Sequence, residues 1–145
     1  MTTGTGIDYK TVTVGAAEYK MIPLSPDRAI DFCTDSMIAL APVLTAVELP
    51  EAEASNYAMA FAMRVIPNIG LVNPEKLKAI FAVVREQMVL PNEKLASDVN
   101  SFHDWFTKHP SHLLESHMKG LFVLVKDFFP QGLGTLIDGL TLKNG

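Results

Sequence analysis

Cysteine is nearly absent. Cys33 is the single one in 145 residues, so no internal disulfide can form, and a reducing cytoplasm is the expected setting. Long apolar runs are missing too. The longest stretch without a charge, Ser36 to Val47, is short and interrupted by Pro42, whereas a membrane span takes about 20 apolar residues. Positive charge is scarce: Lys plus Arg number 12 against 16 Asp plus Glu, and residues 1–72 hold 4 basic and 8 acidic side chains. With no basic segment, an electrostatic nucleic-acid binder is not expected. The opening Met1-Thr2-Thr3-Gly4-Thr5-Gly6-Ile7-Asp8 has neither a basic nor an apolar stretch, so no secretory leader is expected. Internal repeats and low-complexity segments are also lacking.

What is present is apolar and helical. Hydrophobic residues make up 48% and charged ones 19%, too apolar for a disordered chain. The length suits one domain, 1–145, with its own core. A mean hydropathy of +0.21 is high and points to apolar surface that another chain covers.

Residues 1–8 read as a flexible lead-in. From Tyr9 to Ile22, β-branched and aromatic residues flank Gly15-Ala16-Ala17-Glu18, the pattern of a hairpin with a glycine-led turn. Residues 26–141 then read as helical, giving a mainly α (α+β) fold: an N-terminal hairpin and a bundle of five or six short helices. Ser25-Pro26-Asp27 is a helix start, combining a hydroxyl cap, a first-turn proline and a carboxylate at the positive end of the dipole. In this first helix Ile30, Cys33, Met37, Leu40, Leu44 and Val47 form one stripe, with a kink or break expected at Pro42. Proline followed by an acid predicts further starts at Pro50, Pro74 and Pro91-Asn92-Glu93.

The second helix, about 51–66, carries Tyr57, Met59, Phe61 and Met63. The third places Leu77, Ile80, Phe81, Val84 and Met88 on one side, and the fourth Leu95, Val99, Phe102 and Phe106. The fifth starts near Ser111 on a Leu114, Met118, Leu121, Val125 and Phe128 stripe, and Pro130 ends it.

Chemistry-bearing residues are few. His103, His109, His112 and His117 cluster in sequence near Asp98, Asp104 and Glu115. A helical zinc site wants histidines at i, i+4, but His112 and His117 are five apart and diverge by roughly 140°. Solvated or loop-capping histidines are the expectation. Cys33 lies on an apolar stripe, where Asp31 and Asp35 would raise its pKa. Asp27, Asp31 and Asp35 ladder one helical face and read as solvated. No nucleophile elbow or phosphate loop occurs, so no catalytic residue, metal ligand or cofactor is assigned.

Apolar residues exceed one stripe in the last helices. Phe122, Val125, Phe129, Leu133 and Ile137, with Met59 and Met63, are therefore candidate protein-binding residues. Burial within the domain is the alternative for the same surplus.

Two segments carry a likeness to a known family. Thr11-Val12-Thr13-Val14-Gly15, Glu18-Tyr19-Lys20 and Pro23-Leu24-Ser25 resemble the opening of the tail assembly chaperones of long-tailed bacteriophages. Leu113 to Leu140 is similar to their last helices. The resemblance implies a non-enzymatic protein of the host cytoplasm. It would bind the apolar, helical tape measure protein, meet the tail tube protein and self-associate, without a cofactor, nucleic acid or membrane. A structural virion or adaptor protein with permanent symmetric contacts, and a small metal-dependent hydrolase using the His103–His117 cluster, are the alternatives.

Overall fold

Gly15 sets the hairpin. Its φ of 61° is open to glycine without cost, and with Ala16 it closes strands β1 (Lys10–Val14) and β2 (Ala17–Met21) in the manner of a type II′ turn. The turn is thus two residues long, and Ala17 and Glu18, expected within it, belong to β2. The register pairs Val14 with Ala17 and Val12 with Tyr19. Val12, Val14, Tyr19 and Met21 consequently share one face and are buried, while Thr11, Thr13 and Glu18 face outward.

The computed structural model describes residues 9–46, 62–63 and 65–126. It shows a mainly helical α+β chain in which the hairpin is followed by about five helices. The named helices are α1 (Pro26–Ala46), α2 (Pro74–Glu86), α3 (Val99–Lys108) and α4 (Leu113–Val125). Short 3-10 turns span Ile66–Leu71 and Pro110–His112. Of the expected second helix, Ala62, Met63 and Val65 are helical; Pro50, Tyr57, Met59 and Phe61 lie outside the described residues, as do Phe128 and everything beyond it.

The sheet has a third strand that the periodicity hides. Met88 was expected one turn after Val84 on the same helical face. Instead α2 stops at Glu86, and β3 (Met88–Val89) pairs antiparallel with β2, giving the order β1-β2-β3. Gln87 makes the switch. Its carbonyl accepts the Ile22 N–H at 2.7 Å and its side-chain amide donates to the Ile22 carbonyl at 2.8 Å. These long-range bonds override local helix propensity.

Pro91-Asn92-Glu93 is likewise a turn and not a helix start. Leu90 and Lys94 close it by a backbone bond of 2.8 Å, and Glu93 takes a φ of 69°. Proline suits the second position of a turn as well as the first turn of a helix, and here the turn prevails. Leu95 follows on a bridge to Val89, leaving α3 to begin at Val99 under the Asp98 cap, whose Oδ2 accepts the Ser101 N–H at 2.9 Å. Pro74 behaves as expected: Asn73 Oδ1 caps α2 by accepting the Glu75 and Lys76 amides.

Helix α1 runs unbroken through Pro42. Its buried face is Ala29, Phe32, Ser36, Ala39, Leu40 and Val43, turned from the expected stripe so that Ile30 is 68% exposed and Cys33 and Met37 are half-buried. Small Ala29, Ser36 and Ala39 alternate inside with bulky Phe32, Leu40 and Val43, and Ile30 and Ile38 are left outside.

Helix α4 is the centre of the fold. Every residue from Ser116 to Val125 is buried, because α1, α2, β1, β2 and the Ile66–Leu71 turn surround it. The expected single stripe was too narrow, and Leu114, its first member, is partly exposed. Gly120 marks the tightest approach: a Cβ there would stand 3.0 Å from Val84 Cγ1 and 3.1 Å from Met21 Cε.

Candidate functional site

The four histidines go to four different environments. His112 Nδ1 accepts the Tyr19 hydroxyl at 2.8 Å, and that hydroxyl in turn accepts Trp105 Nε1–H at 2.9 Å. With Nδ1 of His112 unprotonated, the Tyr19 hydroxyl spends its one proton there while its oxygen accepts from Trp105. Burial raises the Tyr19 pKa and keeps the phenol neutral. His109 stacks on Trp105 at 4.0 Å and donates Nδ1–H to the Trp105 carbonyl. His103 is exposed on α3.

His117 departs from the solvated or capping role expected of it. It is fully buried, ringed by Phe81, Phe102 and Phe106, and donates Nδ1–H to the Leu113 carbonyl at 2.8 Å. Its Nε2 is buried without a hydrogen-bond partner among the described residues. Desolvation lowers its pKa to about 4, the Leu113 bond opposes that shift, and Arg85 adds to it. No three His, Cys, Asp or Glu among the described residues form a group that could hold a metal. The hydrolase alternative therefore loses the cluster it was built on.

Cys33 is half-buried and packs against the core. Its thiol pKa is pushed up, and burial is the cause rather than Asp31 and Asp35. Sequence reasoning passed over Lys119, which is buried on α4. Its ammonium pairs with Glu115 at 2.7 Å and donates to the Thr13 carbonyl at 2.8 Å, tying α4 to β1. The i, i+4 spacing of Glu115 and Lys119 was the available signal.

The expected binding residues divide. Phe122 and Val125 are 5% and 4% exposed, so their surplus bulk fills this chain's own core and not a partner's groove. This corrects their assignment: surrounded on all sides, α4 has no free apolar face between Ser116 and Val125. Phe129, Leu133, Ile137 and Met59 lie outside the described residues, and Met63 is 62% exposed.

Apolar exposure sits elsewhere, on the outer side of α1. Ile30 and Ile38 are 68% and 55% exposed, beside Asp27, Asp31 and Asp35. Between α1 and α2 runs a groove bordered by Asp31 and Asp35, with Phe32, Ala79, Ile80 and Val83 as its apolar lining. Arg28 closes one end, pairing with Glu86 at 2.7 Å.

Compared with known proteins, the chain matches no family model, no curated protein and no solved structure.

Proposed function

We propose that the chain is a non-enzymatic assembly chaperone of the kind found in long-tailed bacteriophages. It binds the apolar, helical tape measure protein in the host cytoplasm and keeps it soluble until tail tube protein polymerises around it. The observation that carries this reading is the outer face of α1, where exposed Ile30 and Ile38 stand among three carboxylates. Such a face offers apolar contact to a partner and keeps the complex charged enough to stay dissolved.

The residues of the family resemblance add support of a different kind. Val12, Val14, Tyr19 and Leu24 are all buried, so the quoted opening is part of the core, packed on α4. Met63 is likewise exposed, and methionine suits an adaptable contact.

The test is co-expression with the long helical tape measure protein of the same genome. Tape measure protein that is soluble only in the presence of this chain, together with virions from which this chain is absent, is the expected outcome. Tape measure protein that aggregates regardless would overturn the reading. Stoichiometric amounts of the chain in purified particles would favour a structural virion protein instead.

A further inference from the structure

We infer that the groove between α1 and α2 is the docking site, and that it takes a helix of a partner protein bearing Lys or Arg beside its apolar ridge. The inference rests on the chaperone reading only for the partner's identity; the groove and its charge stand on their own geometry.

The lining sets the shape of the occupant. Exposed Ala79 and half-buried Val83 from α2 line a shallow apolar trough between two packed helices, and Phe32 and Ile80, almost wholly covered, form its floor. A ridge of side chains from a third helix fits such a trough, and helix-in-groove recognition uses this arrangement. Ile38 continues the apolar rim one turn beyond Asp35.

The charge sets the occupant's chemistry. Asp27, Asp31 and Asp35 follow one another at i, i+4, a spacing at which like charges destabilise a helix. Only Asp27 lies in the first turn, where the helix dipole compensates it. Arg28 is three residues from Asp31 and could have neutralised it, but its guanidinium is spent on Glu86 and Gln87 across the groove. Lys76, on α2, forms no ion pair with either carboxylate. Asp31 and Asp35 thus border an apolar trough without a cation of their own among the described residues. A partner cation would relieve the repulsion along α1 as it binds, which makes a basic amphipathic helix favoured and an acidic one excluded.

The test uses the full chain and two synthetic amphipathic helices, one of Leu and Lys, the other with Glu in place of every Lys. The Lys peptide should bind and the Glu peptide should not. D31K/D35K should weaken the Lys peptide by about tenfold or more, since two attractive contacts become repulsive. A79R, which fills the trough with a cation, should weaken it similarly. The matched control E18K/D104K alters exposed carboxylates away from the groove and should leave affinity within about twofold. Circular dichroism checks that each variant is folded.

Failure of the Lys peptide to bind, or equal loss in the control, would overturn the groove. With the tape measure protein itself, retained binding by D31K/D35K would overturn the groove and leave the chaperone reading intact. Wild-type protein that ignores the tape measure protein but binds the Lys peptide with the expected variant pattern would do the reverse.

Discussion

Tyr19 and His112 stand 93 residues apart in sequence and are joined by a hydrogen bond of 2.8 Å. The bond connects the hairpin to the turn that launches α4, and Trp105 Nε1 completes it from α3 at 2.9 Å. One phenol oxygen therefore links the hairpin to α3 and to the Pro110–His112 turn. The Tyr19 ring adds apolar contact to this, stacking on Phe106 at 6.1 Å with planes 6° apart.

Removing that oxygen tests how much the link contributes. Tyr19→Phe keeps the ring but leaves the Trp105 donor and His112 Nδ1 without the hydroxyl in a partly buried setting. A loss of about 1–3 kcal/mol in unfolding free energy is expected, read from urea denaturation. A change below about 0.5 kcal/mol would mean that water replaces the hydroxyl without cost.

His117 makes the fold acid-sensitive. In the folded chain its pKa is about 4 against an ordinary 6.5, so between these values the unfolded chain binds the extra proton. The contribution is fully present above pH 6.5 and is lost as pH falls towards 4; below that both states are protonated and the loss is complete. The shift corresponds to about 3 kcal/mol. Urea midpoints near pH 7 and near pH 4.5 should differ more for the native chain than for His117→Leu, whose buried side chain does not titrate. Parallel pH profiles for the two proteins would contradict the assignment.

Gly120→Ala sets two effects against each other. Alanine gains up to about 1 kcal/mol of helix propensity, but its methyl would crowd the stiff, β-branched Val84 at 3.0 Å. Overpacking of this kind costs about 1–3 kcal/mol, so net destabilisation is expected in a thermal melt. Val84→Ala should rescue it, with the pair non-additive by about 1 kcal/mol. Additive losses would place the strain elsewhere, at Met21.

The sequence made the hairpin and most helix starts legible because their signals are local. Gly15, Asn73-Pro74 and Ser25-Pro26 act on backbone within a few residues of themselves. What escaped it was decided at long range. Met88 keeps helical spacing with Val84, yet Gln87 hands it to the sheet through Ile22. The α1 stripe through Ile30 matched helical periodicity as well as the true face through Ala29 and Phe32 does; the choice between them lay with the helices packed against α1, far off in sequence. The surplus at Phe122 and Val125 was visible, but periodicity cannot say whether a helix apolar all round meets its own domain or another chain. The α1–α2 groove needed α2 opposite Asp31 and Asp35, and no spacing within α1 could supply that.

Lys119 has a consequence for self-association through strands. In a hairpin closed by two residues, Val14 and Ala17 exchange both ladder bonds, which turns the Thr13 carbonyl outward along the margin of β1 that faces no other strand among the described residues. That margin is a ready template for another extended chain. The Lys119 ammonium already occupies the Thr13 oxygen, and it brings a buried positive charge that an incoming strand would have to displace. The β1 margin is thereby blocked at Thr13. In the chaperone role proposed above, such a block would let the chain engage apolar segments side chain to side chain without being drawn into their stacks.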